Sequence, residues 1–132
     1  MRYRKDYQKT HDIDWFFKYK ENVYHAASNG GLLPDCVDSM KNRTVQEKLE
    51  KIEGIFKVEI VVDKKSIYDE GADLSSFIEY ASKGLISLDR REIEDSNRLF
   101  YHIVASPIDG SFIDDDILKL VPTLEEGDIE IV

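Results

Sequence analysis

Residues 14–28 read DWFFKYKENVYHAAS, and the architecture expected for the whole chain grows from them. Trp15, Phe17 and Tyr19 alternate with Asp14, Lys18 and Lys20, the period of two that places apolar side chains on one face of a strand and polar ones on the other. Phe16 interrupts the alternation. Around Lys20, Glu21 and Asn22 the chain can reverse, so NVYHAAS at 22–28 is expected to return as the second strand of a hairpin. The stretch NGGLLPDC that follows carries Asn29, Gly30, Gly31 and Pro34, residues that supply positive φ or a fixed turn, and reads as a loop.

Further along, Thr44 and Glu47 have the spacing of a capping box, and Val45, Leu49 and Ile52 form an apolar stripe. A helix over 44–53 follows, with Gly54 at its left-handed end and a turn over 35–40 before it. IFKVEIVV at 55–62 alternates as a half-buried strand. Asp73 then caps a second helix whose Leu74, Phe77, Ile78 and Ala81 share a face, closed by Gly84 and Leu85. RLFYHIVAS at 98–106 is apolar on both faces, which suits a strand inside a sheet. Asp114 to Asp116 open a short helix, and DIEIV at the end suits a short edge strand. Strands at both ends and in the middle, with two helices between, imply an α+β fold: a mostly antiparallel sheet with two main helices packed on one face, or a mixed sheet if residues 22–62 form a βαβ unit. The expected core is Trp15, Phe17, Phe56, Val58, Ile60, Phe77, Ile78, Leu99, Tyr101 and Ile103.

Composition bounds the class. The 132 residues suit one globular domain over 1–132, with residues 1–10 as a flexible basic arm. An apolar fraction of 42% is that of a folded chain, and no apolar run approaches the ~20 residues of a membrane span. The start has no apolar stretch behind its charges, so no signal peptide is read and the expected location is cytoplasmic. One cysteine, Cys36, excludes an intramolecular disulfide and offers no zinc spacing. The formal net charge of −9 is uneven: residues 1–20 hold six Lys or Arg against three Asp, whereas 107–132 hold eight acids against Lys119. Such a balance argues against nucleic-acid binding through phosphates.

The candidate chemistry centres on an echo. NVYHAASNGGLLP at 22–34 and FYHIVASPIDG at 100–110 each place Tyr-His and then Ala-Ser before a turn. His25 shares its strand face with Val23 and Ala27, and His102 with Phe100 and Val104, so both read first as core histidines and second as a base or ligand at a strand end. In HDID at 11–14, strand alternation sends Asp12 and Asp14 to one side and His11 to the other. Two carboxylates beside a histidine have the chemistry of a cation site, to which a folded-over loop would add His25 and Asn29, but spacing this short reads as a charged rim and no metal is expected. Asn29, Gly30 and Gly31 read as a tight turn, with phosphate contact through backbone N–H groups as the alternative. Neither nucleotide-binding glycine fingerprint, nor a G-x-S-x-G elbow, nor EF-hand spacing is present.

These readings favour a non-catalytic module that contacts a protein partner or forms a homo-oligomer, with no cofactor and no membrane contact. The second reading is a ligand-binding domain or enzyme centred on residues 25–31 with His11, Asp12, Asp14 and His102. The third is an acidic inhibitor or nucleic-acid mimic acting through the C-terminal third.

Overall fold

The structure is a computed structural model that describes residues 1–62, 73–91, 99–112 and 114–132. In chain order its elements are α1 (Lys5–Thr10), β1 (Asp14–Tyr19), β2 (Asn22–Ala27), α2 (Ser39–Glu50), β3 (Val58–Ile60), α3 (Ser75–Ser82), β4 (Ile86–Arg90), β5 (Phe100–Pro107), α4 (Asp115–Leu118), β6 (Thr123–Leu124) and β7 (Glu130–Ile131). Among the described residues this is an α+β fold with one open seven-stranded sheet, ordered β3-β5-β4-β2-β1-β6, with β7 also on β5. No helix among them is long and apolar enough to cross a membrane.

The sheet is mixed rather than mostly antiparallel. β1 with β2, β3 with β5 and β4 with β5 run antiparallel, whereas β1 with β6, β2 with β4 and β5 with β7 run parallel. Parallel neighbours need a long crossover. The crossover that leaves β2 passes through α2, β3 and α3 before returning as β4, so the βαβ unit expected to close by residue 62 closes at residue 86 instead. β3 lies at the far end of the sheet, antiparallel to β5.

The hairpin forms where the alternation placed it. Tyr19 pairs with Asn22 across a two-residue turn, and Lys20 takes the positive φ of 54° that this tight reversal demands. Phe16 is buried as fully as Trp15 and Phe17 because the sheet is covered on both sides. Trp15, Phe17, Tyr24 and Tyr101 pack with Ile13, Leu33 and Ile129. Phe16 packs with Val45 and Leu49 of α2, and Ala27 with Phe77 and Ala81 of α3. The chain runs from β6, beside β1, to β7, beside β5, and Leu124 and Ile129 pack in the Trp15 cluster, so the C-terminal segment straps across that face.

Several local expectations shift. α2 starts at Ser39, where the Asp38 carboxylate accepts from the N–H groups of Met40 and Lys41, and Thr44 instead donates its hydroxyl to the Met40 carbonyl. The helix ends at Glu50 with Lys51 as its cap, three residues before Gly54. α3 closes as expected: Gly84, at φ 103°, donates to the Ala81 carbonyl and Leu85 donates to that of Tyr80, the two bonds of a Schellman ending. Residues 1–10, expected as an arm, carry α1, and Gln8 ties it to the body by accepting from Leu33 N while its amide donates to the Tyr3 carbonyl within the segment. Of the expected core, Trp15, Phe17, Phe77 and Tyr101 are buried, and Phe56, Val58, Leu99 and Ile103 are half-buried. Ile60 and Ile78 are exposed. Ile60 ends a three-residue edge strand, and Ile78 lies one helical step off the face that Leu74, Phe77 and Ala81 bury.

Candidate functional site

The hairpin register pairs Asp14 with Ala27 and Phe16 with His25, so Asp14 and His25 share a face, diagonally across two strands. β4 adds Ser87 directly beside His25. Asp14 Oδ1 lies 2.8 Å from His25 Nε2, and His25 Nδ1 lies 3.1 Å from Ser87 Oγ. The tautomer that satisfies both partners is protonated at Nε2, donating to the carboxylate and accepting the Ser87 hydroxyl at Nδ1. The Asp14 carbonyl accepts from the side-chain amides of Asn42 and Gln46, which ties α2 to the same point. Tyr80 of α3 stacks on the imidazole at 4.0 Å between centroids, and burial pushes its phenol well above the usual tyrosine range.

A serine, a histidine and an aspartate in one hydrogen-bonded line have the composition of a nucleophilic triad. Here the imidazole and the serine are fully buried, and only the Asp14 side chain, 35% exposed, meets solvent. A nucleophile must touch its substrate. The arrangement instead satisfies buried polar groups and joins β1, β2, β4, α2 and α3.

The remaining candidates are dispersed. His102 pairs with Asp89 on β4, and β4 separates β5 from β2, so the two Tyr-His segments are not neighbours. Burial pushes the His102 pKa down, Asp89 opposes that and Arg91 adds to it. His11 ends α1 exposed, stacked on Tyr7 at 3.8 Å with Nδ1 against the Tyr7 carbonyl. Asp12 accepts from the backbone N–H of Asn29, so the carboxylates of Asp12 and Asp14 are engaged by different partners. Among the described residues no group of three or more His, Cys, Asp or Glu is placed to hold a metal ion.

Asn29, at φ 48°, and Gly30, at φ 75°, make the turn, and Gly31 N donates back to the Ser28 carbonyl. A Cβ on Gly30 would meet the Lys9 carbonyl oxygen at 3.2 Å in addition to the strained φ. A Cβ on Gly31 would meet the guanidinium of Arg90, which donates to the Leu32 carbonyl and can swing aside. Gly30→Ala should therefore cost about 1–2 kcal/mol in urea unfolding and Gly31→Ala less than that. Equal costs at the two positions would show that the backbone conformation at Gly30 is not the constraint.

A larger concavity lies away from these residues. An open groove of about 1260 Å³ runs between residues 32–36 and the strap at 126–132, with Tyr19, Leu99, Phe100 and Leu124 between its walls. Its rim carries Asp35, Glu126, Asp128 and Glu130, and no Lys or Arg is among its described lining residues. Arg2 reaches Asp35 at 2.6 Å from outside, and Asp128 accepts from Glu125 N. Cys36 registers the local field: burial raises its thiol pKa, and the charges of Asp128 and Asp35 raise it further. The groove joins segments about ninety positions apart, and its only sequence signal was the acidic C-terminal third. The Asp14 and His25 pairing was already implicit in the hairpin register, whereas nothing local foretold Ser87.

Comparison with known proteins finds no matching family model, no similar curated protein and no similar solved structure.

Proposed function

We propose that this chain is a non-catalytic, cytoplasmic interaction module whose groove receives an extended segment of a protein partner rich in basic and apolar residues. The observation that carries this reading is the meeting of apolar side chains, Leu33, Leu99, Leu124 and Ile131 among them, with the carboxylates of Asp35, Glu126 and Asp128, while no Lys or Arg is among the described lining residues. A space of this size and openness exceeds the few hundred to about 1,000 Å³ of typical small-molecule sites. Alternating Lys or Arg with Leu or Val would set cations against the rim and apolar side chains on the floor, the division of labour by which extended peptides are recognised. In this reading α2 and α3 cover one face of the sheet and stiffen it, while the opposite face presents the groove beside the strap.

The catalytic alternative centred on His25 is weakened by the burial of His25 and Ser87. An acidic inhibitor would also be negative, but its acids would form a convex stripe, whereas Glu126, Asp128 and Asp35 border a concavity.

The test is fluorescence anisotropy with a labelled peptide alternating lysine and leucine, beside matched peptides carrying glutamate or serine for lysine. Only the lysine peptide should bind, more weakly as salt rises. Glu126→Gln and Asp35→Asn should each weaken it about two- to fivefold with little change in melting temperature. Equal binding of all three peptides, or indifference to both substitutions, would reject the groove as a cation-selective site.

A further inference from the structure

We propose that a second copy of this chain docks on β3, antiparallel and edge to edge, about a two-fold axis through Val58. β3 is the terminal strand of the sheet among the described residues. Toward β5, the Lys57 carbonyl accepts from Ile108 N at 2.8 Å and Val61 N donates to the Val104 carbonyl at 2.9 Å. Backbone groups alternate direction along a strand, so the odd residues bond inward, and the N–H and C=O groups of Val58 and Ile60 point out of the sheet. An outward row of this kind is a template for another strand. It is bordered by apolar side chains that the fold leaves in water: Ile55 is 74% exposed, Val61 48% and Ile60 44%.

The sequence of the edge names the occupant. Residues 55–61 read IFKVEIV. Laid antiparallel against itself about Val58, the strand sets Val58 opposite Val58 of the second copy and Lys57 opposite its Glu59, while Phe56, whose N–H donates to the Ser82 carbonyl, turns back into the fold and ends the ladder. The apolar Val58 meets itself and each of the two charges meets its opposite, twice over by symmetry. Both charged side chains are exposed, and opposite charges directly across an antiparallel pair are favourable while like charges are not. Rotating about Glu59 instead would set that carboxylate against its own copy and Lys57 against Val61. Charge therefore selects the register as well as the partner. The isologous contact closes on itself, giving a dimer with one continuous sheet rather than a fibre. A strand of three residues buries little area, so the association is expected to be reversible and dependent on concentration. This surface is separate from the groove, and either can fail without the other.

The test uses the full chain. Sedimentation equilibrium should show a monomer–dimer equilibrium. Lys57→Glu alone and Glu59→Lys alone should each raise the dimer dissociation constant roughly tenfold, because two attractive pairs become repulsive. The double variant, which exchanges the charges, should restore wild-type association. With Cys36→Ser as background, Val58→Cys should form a disulfide-linked dimer under mild oxidation, since directly opposed strand residues lie within disulfide range, and Glu59→Cys should not. A chain that stays monomeric throughout, a double variant no better than the single ones, or Glu59→Cys crosslinking as readily as Val58→Cys would each overturn the proposal.

Discussion

Trp15→Ala should lower the free energy of unfolding by about 3–5 kcal/mol, a large share of the 5–15 kcal/mol that holds a domain together. Trp15 is fully buried at the centre of the sheet's strap-covered face, tilted against Phe17 at 4.9 Å and set edge-on to Tyr101 at 5.9 Å. Its indole N–H donates to the Tyr101 hydroxyl at 3.2 Å, an interior bond between residues 86 positions apart. Truncation opens a cavity beneath the strap and takes away one of the two side chains, Trp15 and Arg90, that bond that hydroxyl. Burial already pushes the Tyr101 phenol up to about 12, with the Trp15 bond working in the opposite direction, so its oxygen sits where water cannot replace the indole. Trp15→Phe fills most of the volume and should cost roughly 1–3 kcal/mol for the lost indole bond and the smaller ring. Ile78→Ala, on the outer face of α3, should stay within about 1 kcal/mol of wild type. Urea unfolding of the three variants ranks them, and an Ile78 variant as damaging as the Trp15 one would mean that the two faces of α3 have been misassigned.

What the sequence disclosed depended on how local the signal was. The hairpin was legible because alternation over DWFFKY and NVYHAA and a two-residue turn fix the register within fourteen residues. The end of α3 was legible because Gly84 and Leu85 complete a pattern of hydrogen bonds confined to six residues. The start of α2 was not. Ser39 to Arg43 lack an apolar stripe, Met40 stays in solvent, and the residue that anchors this turn is a polar one, Asn42, buried so that its amide can donate to the Asp14 carbonyl and the Tyr3 hydroxyl. Tertiary hydrogen bonds decide that boundary, and the capping-box spacing of Thr44 and Glu47, six residues beyond Asp38, falls inside the helix. The parallel pairings were equally silent, because β2 meets β4 and β1 meets β6 across long stretches of chain with no local trace. The alternation of residues 55–62 implies a face with four apolar positions. At the end of a sheet the same alternation leaves Ile60 in water, and that departure is what exposes the self-complementary edge.

His25→Ala should be about as damaging as the loss of Trp15, roughly 3–5 kcal/mol, for a different reason. The imidazole is bonded at both nitrogens and stacked beneath Tyr80. Removing it opens a polar cavity in a water-excluded place. Asp14 keeps part of its hydration through its exposed edge, so most of the cost falls on the fully buried Ser87 hydroxyl, which loses its acceptor, and on the ring of Tyr80, which loses its floor. Ser87→Ala alone should cost about 1–3 kcal/mol, because it leaves His25 Nδ1 without its donor. In the His25→Ala background the same change should cost much less, and the double-mutant cycle should give a coupling of about 1 kcal/mol or more. That coupling distinguishes the two meanings of a serine, histidine and aspartate in line. A structural relay loses stability with any of its members and gains nothing from substrate, whereas a nucleophilic serine is commonly removed at little cost to the fold. If Ser87→Ala left the melting temperature unchanged while abolishing hydrolysis of an activated ester by the wild-type chain, the buried line would be a catalytic one and the non-catalytic reading would fall with it.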